Sequence, residues 1–80
     1  MRFEPRMALV AGKAGLDDIR GLVDQAPDFL RPGGWLLLEH GYRQGVDVRA
    51  LLQQRGFAAV ATRQDLAGQD RISGGRWRAD

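Results

Sequence analysis

The fold of this chain is decided by the stretch Trp35-Leu36-Leu37-Leu38-Glu39-His40, which Gly34 and Gly41 bound. This continuous apolar run has the length and character of a strand that is buried on both faces. Strands of that kind lie inside parallel sheets with helices on either side. We therefore predict an α/β fold in which residues 35–40 form an inner strand with a hydrogen-bonded neighbour on each side.

An amphipathic helix precedes this strand. Its apolar residues recur at steps of three and four and so share one helical face: Leu16, Ile19, Leu22, Val23, Ala26 and Leu30. Asp17 and Asp18 stand in the first turn, where the helix dipole favours negative charge. Pro27 lacks an amide hydrogen, which predicts a kink or restart at that point, and Arg-Pro-Gly-Gly at residues 31–34 ends the helix.

After the strand, the pattern predicts a second helix and then two further strands. The helix covers residues 44–55, with Val48, Leu51 and Leu52 facing inward and Gly56 as its stop. Residues 57–64 are extended, residues 65–69 form a loop, and residues 70–77 return as an antiparallel partner. Gly-Gly at residues 74–75 indicates a bulge or a close backbone approach.

The predicted order is therefore helix, strand, helix, strand, strand, which is typical of the trailing half of an open α/β sheet. Residues 7–11 add a brief extended piece, followed by a turn at residues 12–15. We expect the leading half of the sheet to lie outside this chain. One edge of the sheet should then be bare, which favours association such as a homodimer through the exposed strand edge.

Composition narrows the class of protein further. The chain has 80 residues, enough for one small domain or a piece of a larger one. It contains no cysteine and a single histidine, which excludes a disulfide framework and a thiolate metal site and makes a zinc site improbable. No apolar run reaches transmembrane length, and the N-terminus lacks the apolar run of a signal peptide, so we expect a cytoplasmic protein without membrane contact.

The charge pattern argues against nucleic acid as a partner. The pI is about 9.9 although the net charge is only +2, because every basic residue except Lys13 is an arginine. A nucleic-acid-binding domain gathers its basic residues on one face. Here the arginines are spread from Arg2 to Arg78 and interleaved with acidic residues, so we do not expect a nucleic-acid footprint.

A set of short motifs, in order and spacing, resembles the C-terminal part of the release-factor glutamine methyltransferases. The motifs are Arg2-Phe3-Glu4-Pro5, Ala8-Leu9, Gly15-Leu16-Asp17, Leu30-Arg31-Pro32-Gly33-Gly34, Leu38-Glu39-His40-Gly41-Tyr42-Arg43-Gln44-Gly45 and Asp65-Leu66-Ala67-Gly68-Gln69-Asp70-Arg71. Each motif is weak alone, but together they cover essentially the whole chain.

This resemblance implies a Rossmann-like sheet that ends in a reversed hairpin. It implies transfer of a methyl group from S-adenosylmethionine to the glutamine amide nitrogen of a Gly-Gly-Gln sequence in peptide chain release factors. The family's Asp-x-Gly-x-Gly cofactor loop, its ribose-binding acid and its Asn-Pro-Pro-Tyr motif have no counterpart in this chain. We therefore expect a fragment, residues 1–80 of a larger catalytic domain, that has no catalytic, cofactor-binding or metal-binding residue and no activity by itself.

The residues nearest to the family's catalytic loop are Arg2, Phe3, Glu4 and Pro5, which are candidates for lining the substrate channel. Their alternative role is structural, with Glu4 in a local ion pair and Pro5 fixing the path of the chain. The glycines at positions 12 and 15 do not match a phosphate-binding loop, because Lys13 precedes the second glycine.

Other polar residues lie where ligands bind in open α/β sheets, at the carboxyl end of the inner strand. Glu39 and His40 close that strand, and we interpret His40 as a hydrogen-bonded structural residue rather than an acid or base. Tyr42, Arg43 and Gln44 either face the protein substrate or cap the second helix, and capping is the preferred interpretation.

Two further expectations concern the hairpin and the tryptophans. Asp70 and Arg71 should form a local ion pair across the hairpin turn. Trp35 and Trp77 should serve packing rather than base stacking, because no basic groove accompanies them.

Two other functions stay open from the sequence. One is a small non-enzymatic module that contacts protein or nucleic acid through its arginines. The other is a piece of a sister methyltransferase that acts on a ribosomal protein or on nucleic acid.

Overall fold

The computed structural model describes the backbone of residues 7–10 and all of residues 15–78. Within these residues there are two helices, one short 3-10 turn and four strands. They are β1 (Met7–Val10), α1 (Leu16–Gln25), the 3-10 turn Ala26–Asp28, β2 (Trp35–Glu39), α2 (Gly45–Arg55), β3 (Ala58–Gln64) and β4 (Asp70–Arg76). No helix in the described ranges is long and apolar enough to cross a membrane.

The four strands form one sheet in the order β1-β2-β4-β3. β1 runs parallel to β2, with Val10 opposite Leu38, while β4 is antiparallel to both β2 and β3. The predicted succession of helices and strands is confirmed, and the brief extended piece at its start proves to be a fourth strand. β2 therefore has the predicted neighbour on each side, and the hairpin strand β4 supplies one of them.

Helix α1 begins as its sequence indicates, but it ends at Gln25 and not at the predicted residues 31–34. The carboxylate of Asp18 accepts a hydrogen bond of 3.3 Å from the amide of Gly15, which satisfies one of the free amides at the helix start. Ile19 and Val23 are buried on its inner face. At Pro27 the helix tightens into a 3-10 turn, because proline cannot donate the next α-helical hydrogen bond.

Helix α2 is preceded by Gln44 and ends at Gly56, whose φ of 107° lies in the left-handed region that glycine adopts without strain. Val48 and Leu52 are fully buried on its inner side. The helix packs against β3, β4 and α1, so both helices cover the same face of the sheet.

The core lies between that face and the two helices. Leu36 and Leu38 of β2 are buried there at 0% and 1% exposure. Trp35, Leu37 and Glu39 alternate with them and are only half-buried. The prediction that this strand is buried on both faces is therefore wrong for the described residues: helices α1 and α2 contact each other and so cover one face only.

The hairpin of β3 and β4 contains the predicted irregularity. Between the pairs Ala58 with Arg76 and Ala61 with Gly74, two residues of β3 oppose one residue of β4, and Ala59 adopts a positive φ of 52°. Gly74 makes the expected close approach, because a Cβ atom there would lie 2.7 Å from the carbonyl oxygen of Leu36.

Candidate functional site at the carboxyl edge of the sheet

The strands β1, β2 and β3 run in the same direction, so their carboxyl ends meet at one edge of the sheet. The turn of residues 40–44 after β2 and the loop of residues 65–69 between β3 and β4 lie at this edge. Open α/β sheets bind ligands outside the carboxyl ends of their strands. The candidate site is therefore this carboxyl edge.

His40 closes β2 and is buried, with 4% of its surface exposed. Its Nδ1 atom lies 2.7 Å from the carbonyl oxygen of Gly41, and its Nε2 atom lies 2.7 Å from Oγ of Ser73. Both ring nitrogens are thus engaged within the protein. The structure agrees with the interpretation of His40 as a hydrogen-bonded structural residue.

A chain of hydrogen-bonded polar groups, buried at His40 and Ser73 and half-buried at Thr62 and Arg49, continues from His40 across the sheet. Oγ of Ser73 lies 2.6 Å from Oγ1 of Thr62, and Nη1 of Arg49 donates a hydrogen bond to the same Thr62 oxygen. We call these four side chains the polar chain. Sequence reasoning missed it, because His40 and Ser73 stand 33 residues apart and only the strand pairing brings them together.

The turn that follows His40 is braced by Gln44. The amide of Gly41 donates to Oε1 of Gln44 at 2.8 Å, and the carbonyl of Gly41 accepts from the Gln44 amide at 3.0 Å. Gln44 stands at the N-cap position of α2 as predicted, but its side chain makes no capping hydrogen bond to the helix and instead accepts from Gly41, so the prediction of side-chain capping is wrong. Tyr42 and Arg43 project from the turn, with Tyr42 48% exposed and the Arg43 Nε donating to its hydroxyl at 3.0 Å.

The carboxylate of Asp70 lies beside the N-terminus of α2. A Cβ atom on Gly45, the first residue of the helix, would lie 2.7 Å from Oδ2 of Asp70 and 3.2 Å from Nη1 of Arg49. Negative charge is favourable at a helix N-terminus. The side chains of Gln44 and Asp70 therefore fill the space beside Gly41 and Gly45 in the turn between β2 and α2. This turn does not fit a cofactor-binding loop.

An open polar cleft of about 580 Å³ borders this helix start and the outer end of β3. The residues that line it are Arg49, Thr62, Arg63, Gln64 and Asp70. Two cationic, one anionic and two neutral side chains line the cleft, so its walls do not select one sign of charge.

The loop between β3 and β4 corrects one expectation. Arg71 pairs with Asp65 at 3.2 Å and not, as predicted, with Asp70. Oδ1 of Asp65 also accepts hydrogen bonds from the amides of Ala67 and Gln69 at 2.9 and 3.0 Å. The bond from Gln69, with smaller contributions from Arg71 and Ala67, lowers the pKa of the Asp65 carboxyl below its ordinary value of 3.8, against the opposing effect of desolvation.

The tryptophans serve packing where the structure describes their contacts. Trp77 lies against Phe57, with ring centroids 5.0 Å apart. The guanidinium of Arg55 lies over the Trp77 ring, 5.4 Å from the ring centroid. Trp35 is half-buried on the face of the sheet that the helices leave uncovered.

The residues proposed for the substrate channel, Arg2, Phe3, Glu4 and Pro5, lie outside the described part of the chain, as do the glycine and lysine at positions 12 and 13. Among residues 15–78, no group of three histidine, aspartate or glutamate side chains could hold a metal ion.

Comparison with known proteins finds one enzyme name repeatedly. The chain is 62% identical over 77 residues, 96% of its length, to a release factor glutamine methyltransferase of Pseudomonas aeruginosa. It is 51% identical over all of its 80 residues to the protein of the same name from Vibrio cholerae. No family model matches the chain.

A solved structure agrees with these sequences. The crystal structure of a protein-(glutamine-N5) methyltransferase (release factor-specific) from Alicyclobacillus acidocaldarius superposes with a TM-score of 0.66 at 26% identity, over 88% of this chain and 48% of that one. The resemblance read from the motifs and the α/β fold class are thereby confirmed. The chain spans about 28% of the length of the curated relatives named above.

Proposed function

We propose that this chain is the C-terminal part of a methyltransferase that methylates the glutamine amide of Gly-Gly-Gln in peptide chain release factors. The observation that carries this proposal is the identity of 51–62% along the chain to proteins of that name. The sheet supports it, because the order β1-β2-β4-β3 with β4 reversed suits the trailing half of a larger parallel sheet.

We propose that the preceding part of the domain binds the cofactor and carries out methyl transfer. S-adenosylmethionine supplies the methyl group on its sulfonium. An amide nitrogen is a poor nucleophile, so the reaction depends on holding it in line with that methyl group and accepting hydrogen bonds from its NH₂. The family residues for those tasks have no counterpart here, and we propose no catalytic or cofactor-binding role within residues 1–80.

In this proposal the chain contributes a hydrogen-bonded turn and loop that lie at the carboxyl ends of the strands, beside the reacting groups. His40 and the braced turn of residues 41–44 hold the carboxyl end of β2, and Asp65 and Arg71 hold the neighbouring loop. Arg2, Phe3, Glu4 and Pro5 remain the residues proposed to line the substrate channel. A cytoplasmic enzyme with release factors as its partners follows from the same proposal.

The proposed activity is tested with two polypeptides. One is the 80-residue chain, and the other extends it upstream to the length of its relatives. Calorimetry should detect S-adenosylmethionine binding only to the longer polypeptide, which should also transfer labelled methyl groups to a release factor. Replacing the glutamine of Gly-Gly-Gln by asparagine is the matched control and should abolish transfer.

Two results would contradict the proposal in different ways. Micromolar binding of S-adenosylmethionine by the 80-residue chain would contradict the assignment of cofactor binding to the preceding part of the domain. Transfer by the longer polypeptide to ribosomal proteins or nucleic acid, but not to release factors, would identify a sister methyltransferase instead.

Self-association through a strand edge belongs to the same proposal. The outer edges of β1 and β3 have no strand partner among the described residues. We expect the β1 edge to pair with the leading half of the sheet in the longer polypeptide, and with a second copy in its absence. Size-exclusion chromatography over a concentration series should show a dimer for the short chain and a monomer for the long one.

A further inference from the structure

We propose that His40 is a positioning residue whose ring is held in a single tautomer by the polar chain and thereby fixes the turn after β2. The hydrogen bonds run in one direction, from the guanidinium of Arg49 to the carbonyl of Gly41. This role goes beyond the proposed methyl transfer and can be tested in the 80-residue chain whether or not that chain takes part in catalysis.

The end of the polar chain at Gly41 determines which ring nitrogen carries the proton. A carbonyl oxygen can only accept a hydrogen bond, so Nδ1 of His40, 2.7 Å away, must be the donor. In a neutral imidazole the other nitrogen is then an acceptor. Nε2 therefore accepts from the hydroxyl of Ser73, which lies 2.7 Å away.

The other end determines the remaining hydrogens. A guanidinium can only donate, so Oγ1 of Thr62 accepts from Arg49. The single hydroxyl hydrogen of Ser73 is already used toward His40. The 2.6 Å contact between the two hydroxyls must therefore be a hydrogen bond from Thr62 to Ser73. With a neutral ring, each of the four hydrogen bonds has one donor and one acceptor, and their direction cannot reverse.

The polar chain connects four parts of the fold. It begins on α2, passes through β3 and β4, and ends just beyond β2. Ser73 is fully buried and His40 nearly so, and no buried side-chain polar atom in the described residues lacks a partner. The buried end of this network fixes one arrangement, because breaking the bond between His40 and Ser73 leaves a buried polar group unpaired.

The Gly41 peptide is the point that the polar chain holds. Its carbonyl accepts from the His40 ring and also from the amide of Gln44 at 3.0 Å, while its amide donates to the Gln44 side chain. Tyr42 and Arg43 lie between these anchors. The orientation of the exposed Tyr42 and Arg43 side chains at the carboxyl edge thus depends on the tautomer of a buried ring.

The composition of the chain makes this arrangement directly observable. The whole sequence contains one histidine, one serine and one threonine, and the structure brings these three residues into contact. Every imidazole signal therefore belongs to His40, and each hydroxyl variant removes a member of the polar chain.

The test is long-range ¹H–¹⁵N correlation of the labelled 80-residue chain at about pH 8, above the ordinary titration range of imidazole. We expect the Nδ1–H form to exceed the Nε2–H form at least about tenfold, since two hydrogen bonds favour it. Free histidine prefers the opposite tautomer in water. An excess of the Nε2–H tautomer would overturn the proposal. So would ¹⁵N signals averaged between the two tautomers, as for free histidine in water.

Variants distinguish positioning from general packing. Thr62→Val keeps the shape of the side chain but cannot donate to Ser73, whereas Thr62→Ser keeps the hydroxyl and serves as the matched control. We expect Thr62→Val and Ser73→Ala to speed amide exchange at Gly41 and Gln44 about tenfold relative to the amides of α1, and Thr62→Ser to leave it unchanged. Equal acceleration in all three variants, or in none, would contradict the positioning role.

Discussion

At the scale of single residues, strain and charge in the hairpin govern local stability. Ala59 is a non-glycine residue with a positive φ, at the point where β3 carries an extra residue. The left-handed conformation costs an L-residue about 1–2 kcal/mol. The bulge is therefore maintained by the pairing on both sides of it and not by the residue that forms it.

Substitution of this alanine by glycine should stabilise the chain. Ala59→Gly removes the strain but adds freedom to the unfolded state, so we expect a net gain of about 0.5–1 kcal/mol in the free energy of unfolding. The matched control is Ala58→Gly, an exposed neighbour without a positive φ, which should lose about the same amount. Urea denaturation checks both, and equal losses would contradict the assignment of strain.

The loop carboxylate gives a prediction with a definite sign. The folded chain lowers the pKa of Asp65 below 3.8, so its charged form stabilises the fold above that pH and the contribution is lost as the pH falls through the lowered value. Wild type should exceed Asp65→Asn in urea midpoint near neutral pH, and the gap should shrink in acid. Asp28→Asn is the control, since it removes one charge from an exposed aspartate without removing the bonds to Ala67 and Gln69. A difference in urea midpoint between wild type and Asp65→Asn that stays constant down to about pH 2 would contradict the prediction.

At the scale of elements, two glycines show how differently a helix and a strand tolerate a side chain. Gly21 lies inside α1, and a Cβ atom there would meet nothing within 4 Å. Gly74 lies inside β4, where a Cβ atom would come within 2.6 Å of Cδ2 of Leu37 and 2.7 Å of the Leu36 carbonyl oxygen.

Opposite effects are therefore expected from the same change. Gly21→Ala should raise the free energy of unfolding by about 0.5–1 kcal/mol through helix propensity. Gly74→Ala should lower it by about 1–3 kcal/mol, because the backbone carbonyl of β2 cannot move without breaking the sheet. Chemical denaturation followed by circular dichroism measures both variants. A neutral Gly74→Ala would mean that β2 and β4 lie further apart than described.

At the scale of the whole molecule, the sheet is covered on one face only. Leu36 is fully buried under the helices, whereas Leu37 is half-exposed on the opposite face. Leu36→Ala should cost about 2–5 kcal/mol, a large share of the roughly 4–12 kcal/mol available to a domain of this size. Leu37→Ala should cost less than half as much in the 80-residue chain.

The cost of Leu37→Ala should differ between the 80-residue chain and the longer polypeptide. If the preceding part of the domain covers the second face, as we propose, Leu37→Ala becomes a core substitution there and its cost should approach that of Leu36→Ala. Thermal denaturation of both variants in both polypeptides measures the change. A Leu37→Ala cost that is the same in the two contexts would show that the second face stays uncovered.

Patterns that act over a few residues were predicted correctly from the sequence. The start of α1, the interruption at Pro27, the bounds of α2 to within one residue and its stop at Gly56 follow from helical periodicity and backbone chemistry that neighbouring residues determine. The end of α1 was predicted too late in the chain, since the α-helix stops at Gln25. The close approach at Gly74 was predicted for a similar reason, since a glycine pair inside a strand leaves room for another backbone. The motifs likewise indicated the resemblance to release-factor glutamine methyltransferases that the comparisons confirm.

The sequence by itself thus determined the order of elements, the inner strand and the resemblance. Only the tertiary structure decided that β4 lies between β2 and β3, that one face of β2 is covered, and that Arg71 pairs with Asp65. It alone brought His40 to Ser73 across 33 residues. The physical reason is that local periodicity depends on neighbours along the chain, whereas these contacts depend on strand order and register, which arise only when distant segments pair.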